Sequence, residues 1–337
     1  MIRNSTNLKI GVLGLPNIGK SQLFNILTNS NVPSENYPFC TISPNEAKAQ
    51  VPNEKFNSLI KQYTPKSSIP SFLSIIDIAG LVRGASSGQG LGNEFLSNVK
   101  NVDGLFHLIR AFKDDNVTHV EDFVDVHRDC DIIMNELRIK DLDFIDKLNL
   151  KKISKRECTV VDRIRGLIGN EKSIQFENWS NEEIIFINNL KLLSVKPVVY
   201  LLNCGIDDYC NGIDVSFNEK QAILYSGILE EDLSIMDVDE RKEYLKHLSG
   251  VYKKEIKSAI PGIIKSGYDA LGLIDYHTAS ENIVQSWTIQ KGTCAGKAGN
   301  AIHSDFEVKF RSCTVNGITM GKDYVVQDGD VMVFNLK

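Results

Sequence analysis

The stretch LKIGVLGLPNIGKSQLFNILTNS, residues 8–30, constrains the fold more than any other part of the chain. Its first half is a β-branched and leucine-rich run that ends at Gly14. Its second half places Leu23, Phe24, Ile26 and Leu27 at helical spacing. Between them, Gly14-Leu15-Pro16-Asn17-Ile18-Gly19-Lys20-Ser21 fits G-x-x-x-x-G-K-[ST]. A strand, a glycine turn and a helix in that order form an anion cradle, because backbone N–H groups and the positive end of the helix converge on one point. Asn17, Ile18, Gly19, Lys20, Ser21 and Gln22 are therefore the candidate phosphate-holding residues. Lys20 is expected to meet the outer phosphates, and the Ser21 hydroxyl to ligate Mg²⁺. Gln22 stands where many such loops carry threonine.

A strand that feeds such a turn belongs to a parallel α/β sheet, and the chain supplies three more apolar runs of the right length. They are 71–80 (SFLSIIDIAG), 102–112 (VDGLFHLIRAF) and 196–204 (KPVVYLLNC). Between the last two lies a polar, helical stretch at about 125–192, with Ile132, Leu137, Phe144, Leu148 and Ile153 at apolar positions, which reads as an inserted arm. After SGYDALGLIDYHTA the pattern shortens to strands and turns (SWTIQKG, FEVKFRSCTV, YVVQDGDVMVF), so a small β module is expected at the C-terminus. No run reaches the roughly 18–20 apolar residues of a membrane span, and the N-terminus lacks the apolar core of a signal peptide, so a cytoplasmic protein without membrane attachment is expected. Seven scattered cysteines form neither a CxxC pair nor a disulfide framework. A net charge of -5 argues against a surface that is basic throughout.

Asp77-Ile78-Ala79-Gly80 ends the second strand. A carboxylate there holds Mg²⁺ through water, and the Gly80 N–H can approach a γ-phosphate closely because glycine has no side chain in the way. The glycine-rich segment 81–95 that follows reads as a switch loop. Thr41, in NYPFCTISP, has two readings: a further Mg²⁺ ligand, or a surface threonine before a proline turn. The fourth strand ends Asn203-Cys204-Gly205-Ile206, without the lysine and aspartate of N-K-x-D. Asp207 stands one position late for reading guanine N1–H and N2–H₂. Ser226, in YSGIL, is either a residue of the loop against the base or part of a plain turn.

Taken together, KIGVLGLPNIGKS, NYPFCTISPNEAKAQVP, DIAGLVRGASSGQGLGNEFL, DGLFHLIRAFKDDNVTHVEDFVD and TMGKDYVVQDGDVMVF resemble the Obg-like ATPases, the YchF branch of the Obg-related P-loop NTPases, over nearly the whole chain. The resemblance implies a G-type domain over 8–275, interrupted by a helical coiled-coil arm at about 125–192, and a β-grasp TGS domain over 276–337. It implies ATP as the nucleotide, read by an Asn-x-x-Glu segment, so that Asn203 and the Cys204 backbone contact adenine; the glutamate position here is Ile206. It also implies catalysis without a water-orienting glutamine, since Leu81 stands in that place and a leucine cannot orient water. His119 then has two readings: it positions the attacking water, or it is a loop histidine among acidic neighbours. Asn17, in a G-x-P-N-x-G-K-S loop, resembles asparagines that help bind K⁺. Residues 147–165 carry seven Lys or Arg against two acids, either a solvated face or a contact for RNA; the family's association with ribosomes favours the latter. The region from Val308 to Lys322 looks shorter than the family's usual TGS segment. Two other functions stay open, an Obg-type GTPase and a nucleotide-binding scaffold that scarcely hydrolyses.

Overall fold

The computed structural model describes residues 8–29, 45–78, 97–114, 116–149, 153–170, 172, 174, 177–212 and 221–337. Thr41, Gly80 and Leu81, and the arm lysines Lys151 and Lys152, lie outside the described residues.

The chain runs β1 (Lys9–Leu13), α1 (Lys20–Asn29), β2 (Glu46–Gln50), α2 (Glu54–Tyr63), β3 (Ser67–Ile69), β4 (Phe72–Asp77), β5 (Gly104–Arg110) and α3 (Val126–Asp146). It continues through α4 (Lys155–Gly169), α5 (Asn181–Leu190), β6 (Val198–Asn203), α6 (Ile206–Asn211), β7 (Ala222–Tyr225), α7 (Gly227–Ile235), α8 (Val238–Tyr252) and α9 (Ile260–Ala270). It closes with β8 (Leu273–Ala279), β9 (Ile283–Gln290), α10 (Ala295–Ala298), α11 (Phe306–Lys309), β10 (Phe310–Val315), β11 (Ile318–Met320) and β12 (Asp330–Leu336).

The first sheet has the order β2-β4-β1-β5-β6-β7. Its pairs are parallel except for the antiparallel edge strand β2. The four apolar runs of the sequence supply β1, β4, β5 and β6. β5 is buried at every position, as a strand covered on both faces should be. Ile10, Val12, Leu13, Leu23, Leu27, Leu73 and Ile75 have no measurable exposure, each contributing roughly 1.5–3 kcal/mol of burial.

Helix α3 serves two cores. Cys130, Ile133 and Leu137 in its first half pack into the main core under β5, whereas Ile145 near its end packs with Val160, Ile164 and Ile187 of α4 and α5. The return from α5 is fastened by the buried carboxylate of Asp141, which accepts from the Leu193 N–H at 2.8 Å and from the Ser194 N–H and hydroxyl at 2.7 and 2.6 Å. Desolvation raises that carboxyl group above its ordinary range.

The second sheet has the order β11-β10-β12-β8-β9-β3. β3 comes from within the first domain's stretch of sequence and adds parallel to β9, so the two sheets share chain. Residues 306–309, which the sequence pattern assigns to a strand, form the single-turn helix α11 instead, and Phe306 packs edge-on to Phe334. A buried polar node joins the sheets: Ser71 Oγ donates to Asp275 Oδ1 at 2.8 Å, and the Tyr268 hydroxyl of α9 donates to the same oxygen.

Beside this node sits His277 on β8, fully buried, with Nδ1 2.9 Å from Ser286 Oγ. Burial holds its pKa down at about 4, against an ordinary 6.5. The unfolded chain therefore takes up a proton first, and stability present above pH 6.5 drains away as pH falls toward 4. Urea unfolding is expected to show a loss of about 2 kcal/mol from this group between pH 7.5 and pH 5. In His277→Gln that part of the slope should vanish; an unchanged slope would remove His277 as its source.

Candidate functional site

The cradle forms where β1 delivers the chain to α1 at the carboxyl end of the sheet. Asn17 and Gly19 both adopt the left-handed region, at φ 61° and φ 90°. An asparagine tolerates that region and a glycine prefers it. At Gly19 space decides as well, since a Cβ would lie 2.6 Å from Asn203 Nδ2. The loop thus has the curl, the small residue and the ten-residue helix behind it that a phosphate requires.

Two charges meet at its mouth. Lys20 Nζ lies 2.6 Å from Asp77 Oδ1, with the side chains 12% and 21% exposed. The cation expected on phosphate and the carboxylate expected near Mg²⁺ are therefore already adjacent, although 57 positions separate them in sequence. A phosphate suits the lysine and a divalent cation suits the aspartate, so the donor set fits Mg²⁺-nucleotide. Ser21 is exposed at the first turn of α1.

Asn203 ends β6 beside the loop, 4% exposed. Its Nδ2 donates to the Ile18 carbonyl at 3.0 Å, and its Oδ1 accepts from the Gly227 N–H at 2.9 Å. A Cβ on Gly227 would lie 2.5 Å from Gln22 Oε1, so the three segments meet at close range. Gln22 adds its own bridge, from Nε2 to Glu231 Oε2 of α7 at 2.6 Å. Cys204 is buried, with its N–H and thiol both directed at the Tyr225 carbonyl; burial and then Asp208 push the thiol up to about 12. Ser226 has no exposure and caps α7. Ile206 packs in an apolar cluster with Cys210, Leu229 and Leu233. Asp207, the late acid, accepts from the Tyr252 hydroxyl.

On the other flank, Asn17 Nδ2 donates to the Thr118 carbonyl at 3.2 Å, which brings His119 beside the cradle. The His119 side chain is 3% exposed. Its Nδ1 accepts from the Glu121 N–H at 3.1 Å, and its Nε2 lies 2.8 Å from Asp129 Oδ2, at ion-pair distance but without the alignment of a hydrogen bond. Two supports here escape sequence reading. Arg110, 2% exposed, donates to the carbonyls of Phe112, Val117 and Asp114 at 3.0–3.1 Å and folds the loop that presents Thr118. The signal was a cation closing a strand that is otherwise apolar but for His107. Asp129 gave none, being one acid among many.

Comparison with known proteins agrees with this geometry. A model described as 50S ribosome-binding GTPase matches residues 9–136, and the YchF GTPase C-terminal model, described as a protein of unknown function, matches 273–320. Obg-like ATPase 1 of Caenorhabditis elegans is 42% identical, with 98% of this chain and 93% of the relative covered. The chain belongs to the Obg-like ATPase (YchF) family. Obg-like ATPase 1 of Homo sapiens is 40% identical over the same shares. The structure of the Schizosaccharomyces pombe YchF GTPase matches with a TM-score of 0.88 at 37% identity, covering 99% of each chain. The alignment with the nematode relative spans 372 positions, so that Obg-like ATPase carries residues with no counterpart in this chain of 337.

Asn203→Ala strands the Ile18 carbonyl and the Gly227 N–H in a buried setting. Urea unfolding without nucleotide should report a loss of about 2–4 kcal/mol. Stability within 0.5 kcal/mol of the parent chain, on the order of a surface substitution, would rule out the brace.

Proposed function

We propose that this protein is a Mg²⁺-dependent ATPase of the cytoplasm that works as a ribosome-associated switch. The base side of the site carries the choice of nucleotide. Asp207, the nearest acid to the position that reads guanine, is spent on Tyr252, and Ile206 is spent on packing, so neither accepts the two guanine N–H groups. A backbone contact at Cys204 suits the adenine edge, with Asn203 and Ser226 shaping the wall around it. The names of the relatives divide on this point, ATPase for the nematode protein and GTPase for the yeast structure. Titration calorimetry of ATP and of GTP separates them: ATP is expected to bind at least tenfold more tightly, about 1.4 kcal/mol, and equal affinities would refute the adenine reading.

In this reading the backbone from Asn17 to Gln22 and the Lys20 ammonium hold the phosphates. Ser21 and Thr41 would ligate Mg²⁺, and Asp77 would hold it through water. Mg²⁺, when bound, supplies charge that stabilises the leaving phosphate oxygens. Lys20 would exchange Asp77 for phosphate, the Gly80 N–H would serve as donor to the γ-phosphate, and His119 would orient the attacking water. Asn17 keeps its amide N–H on Thr118 and offers its carbonyl oxygen to K⁺. Equal turnover in K⁺ and Na⁺ buffers would count against that last role.

Ribosome association rests on the family model's description and on the arm. The basic run is partly neutralised: Arg163 pairs with Glu177 at 2.7 Å, and Arg165 with Asp146 and Asp162 at 2.9 and 2.8 Å. Lys155 and Arg156, at the start of α4, are exposed, with only a loose 3.8 Å pair from Arg156 to Glu182, and are the better RNA contacts. Reversing Lys151, Lys152, Lys155 and Arg156 is expected to abolish co-sedimentation with ribosomes; unchanged binding would move the contact elsewhere. The buried ring of His119 favours one rival, a nucleotide-binding scaffold. A turnover assay with and without ribosomes distinguishes it, because a scaffold stays slow in both.

A further inference from the structure

The first turn of α3 carries a chain of polar groups that ends on His119. Asp125 caps the helix through the N–H groups of His127 and Arg128. Arg128 donates from Nε and Nη2 to Asp129 Oδ1 at 3.1 and 2.9 Å, while its guanidinium also reaches the Glu121 and Phe123 carbonyls. The other oxygen, Oδ2, faces His119 Nε2 at 2.8 Å, and both of these side chains are 3% exposed. Nothing in phosphate binding uses this chain.

The geometry fixes a tautomer. Nδ1 accepts the Glu121 N–H, so the proton of a neutral ring sits on Nε2, facing the carboxylate. We infer that Asp129 is a positioning residue for His119, holding the imidazole as the Nε2–H form so that Nδ1 is the acceptor for the attacking water. This rests on the reading of His119 as the residue that orients water. In the structure the Glu121 N–H stands on Nδ1, and Nε2 lies against Asp129 Oδ2 without hydrogen-bond alignment; a turn of the ring that frees Nδ1 for water also brings Nε2–H onto that carboxylate oxygen. Arg128 makes the arrangement one-sided. It demands an acceptor at Oδ1, so an asparagine at 129 must turn its carbonyl toward Arg128 and its NH₂ toward the ring. Nε2 then becomes the acceptor, the proton moves to Nδ1, and the nitrogen meant for water can no longer accept.

The test compares Asp129→Asn, Arg128→Gln and His119→Ala in the full chain. Asp129→Asn should lower kcat for ATP by about 100-fold, with KM changed less than about twofold, because orientation of the water and not ATP binding is lost. Long-range ¹H–¹⁵N spectra, with the His119 signals assigned by their loss in His119→Gln, should show an unprotonated Nδ1 in the parent chain and a protonated one in Asp129→Asn. Arg128→Gln should shift both readouts the same way by less, and it serves as the second variant if Asp129→Asn folds poorly. If His119→Ala abolishes turnover while Asp129→Asn keeps both kcat and tautomer, the positioning role is overturned and the reading of His119 survives. If His119→Ala turns over ATP like the parent chain, that reading fails and takes this inference with it.

Discussion

One side-chain amide holds the site in shape. Asn203 donates to the phosphate loop and accepts from the turn that opens α7, and its own carbonyl receives the Ala111 N–H of the neighbouring strand's exit. Three loops from three strands are thereby held at one point, where the sheet's carboxyl edge would otherwise leave them independent. The cost of undoing this is the desolvation of two buried backbone groups, which is why an asparagine, with a donor and an acceptor on one planar group, suits the place. The left-handed turn at Gly19 exists in part to make room for it.

A second constraint joins the halves of the molecule. α9 presents its apolar face to the first sheet, where Gly267 lets Phe106 approach to a distance no Cβ would allow. From the same helix Tyr268 reaches Asp275 of the second sheet, and Ser71 reaches it from the chain between β3 and β4. Desolvation raises the Asp275 carboxyl group above its ordinary range, and the hydroxyl donors partly offset that. The C-terminal module is therefore packed onto the nucleotide domain through a shared polar core and through β3, and is not a bead on a linker.

Much of this was legible in the residues. The four apolar runs became the central strands because continuous burial on both faces leaves an unmistakable pattern. The phosphate loop was legible because it needs glycine and lysine at fixed spacing. Residues 306–309 were misread because FEVK alternates like a strand, yet Phe306 turns inward to meet Phe334, and tertiary packing overrode the pattern. After Asn203 the sequence shows only the absence of lysine and aspartate; that Asp207 is engaged by a tyrosine 45 positions away depends on how α6 and α8 pack. Asp129 was invisible because its pairing with the His119 ring depends on how the loop folds back on α3, and Arg110 showed only as a cation at a strand end, its acceptors being backbone carbonyls that a sequence does not display.

Helix α3 has a consequence of scale. Its 21 residues, at about 1.5 Å of rise each, make a rod roughly 30 Å long. One end is clamped beside the cradle through Asp129 and Arg128, and the other is embedded in the arm through Ile145. A rod fixed in this way transmits angle as distance: a tilt of about 5° at the clamped end displaces the far end by nearly 3 Å, for a rod of that length. That displacement is on the order of a hydrogen-bond length, enough to make or break contacts at the arm. The loop beside the phosphates and the core of the arm are thus joined by one continuous helix, whose first half is seated in the main core, so any tilt that reaches the arm must be shared by that core.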